Sequence, residues 1–131
     1  MAGDGKNLEC PELMFWQRSP NPELQNLLKN SPSAGLPSDA KERKTYPVGT
    51  GFLDYFPLAV AEVAHVSYVG NEQHNPGLPV HWDRSKSKDE ADALIRHFLE
   101  RGKIDSDGVR HSAKMAWRAM ALLEKELEAE K

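Results

Sequence analysis

The pattern of apolar and polar positions divides the 131-residue chain near residue 45. Residues 1–44 contain five prolines with glycine and serine between them, a composition that opposes a long helix or strand. We predict an irregular, proline-rich arm that runs over the surface. Its apolar cluster, Leu13–Trp16, is expected to dock on the main domain or on a neighbouring subunit. Asn21-Pro22-Glu23 has the pattern of a helix start and predicts a short helix through Lys29.

Residues 45–131 have the apolar spacing of a compact α-helical domain with about three main helices. Asp54 is a plausible N-cap for a first helix over about residues 55–69. The glycines, asparagines and prolines that follow predict a long loop over about residues 70–86.

A second helix is predicted from a Ser87 cap to about Arg101, with Gly102 as its C-terminal stop. Asp107 or Gly108 opens a third helix, which continues into the charged tail. No segment has the regular alternation of a strand, so the predicted class is all-α.

Glu62 lies near the middle of the apolar face of helix one. That face is formed at helical spacing by Leu58, Ala59, Val63, Val66 and Val69. An unpaired buried carboxylate costs several kcal/mol, roughly the penalty of an uncompensated buried ion, so a partner is required. An arginine is one alternative. A metal ion is the other, and we favour it because further acidic residues follow.

Helix two places Asp92 at the flank of its apolar face and Arg96 just beyond it on the same side. The face itself consists of Ala91, Leu94, Ile95, Phe98 and Leu99. Asp92 is therefore expected to reach an interior cleft. His97 points toward the opposite flank, which indicates a packing residue or a contact to another subunit rather than a metal ligand.

Helix three carries a basic face opposite its apolar seam. His111, Lys114 and Arg118 recur at i, i+3 and i+7, and the seam is formed by Val109, Ala113, Ala116, Met120, Leu123 and Leu127. A solvated basic face is one interpretation. A partly covered phosphate-binding face is the other.

The turn Asp105–Gly108 and the long loop supply further polar groups. The turn begins like a calcium loop, but Ala116 stands where the bidentate acid is needed, so an EF-hand is rejected. Asp107 also suits a helix N-cap. In the loop, Trp82 beside His81 suits stacking on a nucleobase, or Trp82 covers the edge of the core.

Composition excludes several classes of protein. The net charge of −3 provides no general field for nucleic acid, and no apolar run has the length of a membrane span. The first residues lack the apolar stretch of a secretory signal. A single cysteine, Cys10, excludes an internal disulfide and indicates a reducing cytoplasm.

Several of these segments together resemble the phage and bacterial dATP/dGTP diphosphohydrolase N-terminal family, which is related to MazG-like all-α nucleotide pyrophosphohydrolases. They are Tyr46-Pro47, Glu62–Ala64, Asp92–His97, Asp105–Gly108, His111 and Ala121–Leu123. The resemblance covers about residues 43–127. It implies Mg²⁺-dependent cleavage of a nucleoside triphosphate to monophosphate and pyrophosphate by a homo-oligomer. The expected location is the cytoplasm, which is the host cytoplasm if the chain is phage-encoded.

The chain departs from the family pattern at a few places. Gln73-His74 and His81-Trp82 stand where the pattern has Lys-Tyr and Asn-Trp, and Lys114 and Arg118 replace a histidine and an asparagine. The E-x-x-E pair of MazG-like helices is absent around Glu62.

The resulting hypothesis is an enzyme that hydrolyses purine deoxynucleoside triphosphates. Its catalytic residues are predicted to be Glu62 and Asp92, and these two form the Mg²⁺ site with Asp105 and Asp107. Phosphate contacts are assigned to Arg96, His111, Lys114 and Arg118, and base contacts to Trp82 and His81. The alternative is a catalytically silent nucleotide-binding or assembly module on the same scaffold.

Overall fold

The computed structural model describes residues 35–86 and 88–130. The chain separates into two units, Met1–Tyr46 and Pro47–Lys131. The predicted apolar cluster Leu13–Trp16, the predicted helix through Lys29 and the Ser87 cap lie outside the described residues.

The described part of the first unit contains one short helix, α1, over Ala40–Arg43. The side chain of Asp39 caps it by accepting a hydrogen bond of 2.9 Å from the backbone N–H of Glu42. Arg43 Nη1 donates to the carbonyl of Pro37 at 3.1 Å. These local bonds hold a single turn in place.

The second unit begins with a π-helical turn over Gly49–Leu53, followed by α2 over Pro57–His74. Asp54 completes the π-helical turn by donating its N–H to the carbonyl of Gly49. Because Asp54 is used there, α2 starts two residues later than predicted, with proline in its first turn. A Cβ at Gly51 would lie 2.9 Å from Cγ of Pro47, so this turn requires glycine.

The predicted end of α2 near Val69 was wrong, because the helix continues through Gly70 to His74. Asn71 lies in this extension and is buried. Its Nδ2 donates to the carbonyl of Leu78 at 2.8 Å. The side chain thereby ties the following loop to the helix, a tertiary contact that outweighs the weak helix propensity of glycine.

A 3-10 turn over Arg84–Lys86 precedes α3, which spans Glu90–Leu99. Gly102 adopts φ +90° after the helix, as expected of its predicted role as the C-terminal stop. The helix itself is shorter at both ends than the predicted residues 87–101.

The last helix, α4, spans His111–Ala129 and so begins later than the predicted start at Asp107 or Gly108. The side chain of Asp107 accepts a hydrogen bond from the N–H of Val109 at 3.0 Å. An isolated antiparallel bridge joins Ile104 to Arg110 across the same turn. Asp107 therefore caps a turn rather than a helix, a role for which the same residue types are favoured.

Helix α4 packs against both α2 and α3. The described residues contain no β-strand, so the all-α prediction is confirmed. The fully buried apolar residues among them are small: Ala93, Val109, Ala113 and Ala121. In the described ranges, every helix falls short of the length or the apolar character needed to cross a bilayer.

The predicted apolar faces of α2 and α3 are not the buried faces of the single chain, whereas Val109 and Ala113 of the seam predicted for the last helix are buried. Leu58 is 84% exposed and Leu99 is 70% exposed, and Glu62, expected to be buried on α2, is also exposed. On α3 the buried residues are Glu90 and Ala93. By its hydropathy Glu90 is expected to face solvent, but its ion pairs to α4 allow it to be buried. The inner face of α3 therefore contains Glu90 and is rotated away from the predicted apolar face.

Candidate functional site

A cavity of about 610 Å³ opens within the second unit. Its walls come from the C-terminal half of α2, the loop up to Asp83 and the first turns of α4. Four further residues complete the lining: Lys86 of the 3-10 turn, His97 of α3, and Asp107 and Val109 before α4. The volume lies in the range of pockets that bind small molecules, roughly 300–1,000 Å³.

Two tryptophans form an aromatic wall of the cavity. Trp82 of the loop meets Trp117 of α4 edge to face, with ring centroids 5.4 Å apart. Trp117 Nε1 donates to Ser67 Oγ of α2 at 2.9 Å. The guanidinium of Arg84 lies 4.0 Å from the centroid of the Trp82 ring and is paired with Glu128 at 2.7 Å. The loop is therefore fastened to α4 by aromatic and cation–π contacts.

Two buried polar atoms of the cavity-lining residues have no hydrogen-bond partner within the described part of the chain. They are the acceptor Oδ1 of Asn71 and the donor Nε1 of Trp82. An unsatisfied buried group costs about 1–3 kcal/mol. Such groups are typical of sites where a ligand or an ordered water completes the hydrogen bonding.

Lys114 pairs with both carboxylates of the acidic turn before α4. Its Nζ lies 2.7 Å from Asp105 Oδ2 and 2.6 Å from Asp107 Oδ2. The hydrogen bond from Lys114 lowers the pKa of Asp105 to about 2 and also lowers the pKa of Asp107. Burial opposes the charge on Lys114, but the two carboxylates outweigh it and raise its pKa. At neutral pH the trio carries one positive and two negative charges.

The carboxylates of this turn do not form a metal site with three or more protein ligands. Asp105 and Asp107 already share the Lys114 ammonium. Among the described residues, no three histidine, cysteine, aspartate or glutamate side chains lie close enough together to hold a metal ion. Mg²⁺ in proteins is commonly held by one or two carboxylates together with substrate phosphates and water.

Glu90 is a buried carboxylate, 3% exposed, between α3 and α4. It accepts a hydrogen bond from Arg118 Nη1 at 2.7 Å and another from Lys125 Nζ. Arg118 also lines the cavity, so this pair connects the cavity wall to the packing of the two helices. A buried carboxylate needs such partners to remain charged.

His97 and His111 join the end of α3 to the start of α4. Their Nδ1 atoms lie 2.9 Å apart, and their ring centroids lie 5.2 Å apart. Burial lowers the pKa of His97, and the neighbouring groups His111, Lys114 and Arg118 lower it further. His97 is therefore neutral at pH 7.

The sequence comparison identifies the family. Residues 37–131 match the family described as dATP/dGTP diphosphohydrolase, N-terminal, which is more than half of the chain. The chain belongs to this family. It matches no curated protein, and it matches no solved structure. The family resemblance predicted from the sequence is thereby confirmed.

The structure brings some of the predicted site residues together and separates others. Those that line the cavity are Trp82, His81, Asp107, Lys114 and Arg118. Asp105 and His111 lie beside it through their contacts with Lys114 and His97. Their roles in substrate or metal binding stay predictions.

The other three predicted site residues are outside the cavity lining. Glu62 and Asp92 are exposed, and Arg96 forms a surface ion pair of 2.7 Å with Asp89. Because Asp89 and Arg96 are both more than half exposed, this pair contributes little stability. The catalytic and phosphate-binding roles of these three residues stay predictions.

Several residues of the site were not predicted to belong to it, among them Asn71, Glu90, Trp117 and His97, the last of which was expected only to pack or to contact another subunit. Asn71 follows a glycine and was assigned to the loop, so its place on α2 was hidden. Glu90 is three residues before Ala93 and four before Leu94, a spacing that could have placed it on one face with them. His97 shares that face, one further turn along, and only the position of His111 reveals its partner.

Proposed function

We propose that this protein hydrolyses purine deoxynucleoside triphosphates to the monophosphate and pyrophosphate. Membership of the dATP/dGTP diphosphohydrolase N-terminal family supports this reaction. The structural observation that carries the proposal is the cavity itself, because it combines an aromatic wall with cationic side chains. Trp82 and Trp117 offer apolar surface to a purine, and Lys114 and Arg118 line the same space for phosphate oxygens.

The charges of the cavity indicate the form in which the substrate binds. The trio of Asp105, Lys114 and Asp107 has a net charge of −1, so its two carboxylates favour a triphosphate that carries a cation. We therefore propose that the triphosphate enters as its Mg²⁺ complex and brings its own cation. On this proposal Mg²⁺ is part of the substrate, and the enzyme acts as a homo-oligomer of at least two copies.

Incubation with each of the eight common ribo- and deoxyribonucleoside triphosphates tests the proposal. With Mg²⁺ present, chromatography should detect monophosphate and pyrophosphate in equal amounts from dATP, dGTP or both. A parallel incubation with excess chelator should give no product. Release of inorganic phosphate without pyrophosphate, or no product from any nucleotide, would contradict the proposed reaction.

A catalytically silent binding module is the second candidate. One observation favours it: the carboxylates of Asp105 and Asp107 are already occupied by Lys114. Calorimetric titration with the same nucleotides distinguishes the two candidates, since binding without turnover supports the silent module.

Glu62→Gln provides a second comparison between these candidates. Glu62 is exposed, so the substitution should change the free energy of unfolding by less than about 0.5 kcal/mol, as is usual for surface residues. Loss of turnover at unchanged stability would support a catalytic Glu62. Full turnover in Glu62→Gln would remove Glu62 from the catalytic residues.

A further inference from the structure

The contact between His97 and His111 constrains where their protons are. Their Nδ1 atoms are 2.9 Å apart, which is a hydrogen-bond distance. A neutral imidazole carries hydrogen on one ring nitrogen and a lone pair on the other. The contact is therefore a hydrogen bond only when one Nδ1 carries hydrogen and the other does not.

The neighbouring carboxylate favours His97 as the donor of this hydrogen bond. Asp105 Oδ1 lies 3.9 Å from Nε2 of His111, and its negative charge favours hydrogen on that nitrogen. Nδ1 of His111 is then the acceptor, and Nδ1 of His97 is the donor. This leaves the lone pair of His97 on Nε2. Within the described residues that atom has no hydrogen-bond partner, and it is not sealed from solvent.

His97 also belongs to the cavity wall. It lines the same cavity as Lys114 and Arg118, the side chains proposed to contact the phosphates. Burial is the largest cause of its lowered pKa; His111, Lys114 and Arg118 of α4 lower the pKa further, and Asp105 acts in the opposite direction.

The other elements around the cavity add further titratable groups. These are His74 of α2, His81 and Asp83 of the loop, Lys86 of the 3-10 turn, and Asp107 of the turn before α4. A bound triphosphate would add negative charge near His97, and this raises the basicity of Nε2 at the moment it is needed.

We propose that His97 is the general base of the hydrolysis and that His111 is the positioning residue that keeps Nε2 of His97 unprotonated. The proposal rests on the proposed function. A water oxygen forms a bond to a phosphorus at the α–β bridge, and its proton moves to Nε2 of His97. The bond from that phosphorus to the bridging oxygen breaks, and the electron pair leaves with the bridging oxygen. His97 then releases the proton to solvent.

His97→Asn tests the assignment. The amide nitrogen of asparagine can replace Nδ1 as a donor to His111, so the helix contact is retained while the base is lost. We expect kcat to fall by about 10²–10⁴-fold, the usual contribution of general acid–base catalysis, with KM changed by less than about threefold. His65→Asn is the matched control, because His65 is an exposed histidine of α2 that stacks on Tyr68 outside the cavity. Its kinetics should equal those of the wild type.

The pH dependence of kcat/KM distinguishes a general base from a residue that only packs, because a residue that only packs does not contribute a pKa to the profile. In the wild type kcat/KM should rise with pH through a pKa below the ordinary histidine value of 6.5, because the base acts when unprotonated. His97→Asn should lose this acid limb. His111→Asn should shift it and lower kcat by about tenfold, since the tautomer is no longer fixed.

The outcomes separate this proposal from the proposed function. A wild type without turnover overturns both. An active wild type with His97→Asn within about fivefold of its kcat overturns the general base and leaves the proposed function standing. If His97→Asn does not fold, nitrogen NMR of the wild type decides: hydrogen on Nδ1 of His97 supports the proposal, and hydrogen on its Nε2 overturns it.

Discussion

Asp105 sets an acid limit on stability at the scale of a single residue. Its hydrogen bond from Lys114 lowers its pKa to about 2 from 3.8, so the folded state binds this proton less readily than the unfolded state. The stabilisation is present above about pH 4 and is lost as the pH falls toward 2. A shift of this size would be worth ~2.5 kcal/mol on a buried group, and because the side chain is 30% exposed we expect about 1 kcal/mol.

Urea unfolding of the wild type and of Asp105→Asn between pH 2 and pH 7 measures this contribution. The difference in free energy of unfolding between the two proteins should shrink as the pH falls. A difference that stays constant over the whole range would show that the charge of Asp105 does not stabilise the fold.

Lys114→Met removes the cation that Asp105 and Asp107 share. The three side chains are at most 30% exposed, so the two carboxylates are left close together without compensation. We expect a loss of about 2 kcal/mol at pH 7, between the cost of an unsatisfied polar group and that of a broken buried pair. Lys103→Met is the control, since Lys103 forms a surface pair with Glu100 and should change stability by less than about 0.5 kcal/mol.

At the scale of the elements, the main helices could be predicted from apolar spacing and from punctuation by glycine and proline. The ends could not. Asp54 and Asp107 have the residue type of an N-cap, yet each completes a tight turn before its helix. Asp107 uses its side chain and Asp54 its backbone N–H, and only the path of the neighbouring chain decides between a turn and a helix cap. The role of Gly102 as a helix stop was predicted correctly, because a glycine with left-handed backbone after a helix commonly ends it.

The contact between α3 and α4 depends on a charge that the apolar pattern does not reveal. Glu90 is 3% exposed and is paired with Arg118 and Lys125. Glu90→Gln removes the carboxylate charge that the two partly buried cations share, and we expect a loss of about 2–4 kcal/mol, somewhat below that of a fully buried broken pair. Thermal unfolding should show a marked drop in Tm. Asp89→Asn, which removes an exposed pair with Arg96, should leave Tm nearly unchanged.

At the scale of the whole molecule, the residue types that line the cavity could be predicted from the sequence, but the contacts between these residues could not. Trp82, Lys114 and Arg118 were predicted as ligand contacts from residue type and helical spacing, and all three line the cavity. Their partners come from distant parts of the chain: Trp82 contacts Trp117, and Arg118 contacts Glu90. Such pairings depend on how the helices pack, and that packing could not be predicted from residue type and helical spacing.

The exposed apolar residues of the main helices predict self-association. Leu58 on α2 is 84% exposed, Leu99 at the end of α3 is 70% exposed, and Leu123 on α4 is 49% exposed. The fully buried apolar residues of the described chain are mostly alanines, which bury little surface. We therefore expect at least a dimer at micromolar concentration, measured by light scattering on a gel-filtration column.

Single substitutions locate the contact between the copies. Leu58→Glu and Leu99→Glu place a charge on the exposed faces of α2 and α3, and the one that lies in the contact should raise the dissociation constant by about tenfold or more, because a buried unpaired charge opposes association. Lys103→Glu alters charge at an exposed site without apolar surface and should leave the mass unchanged. A wild type that elutes with the mass of one chain at micromolar concentration would refute self-association, and these apolar faces would then be solvent-exposed in the working protein.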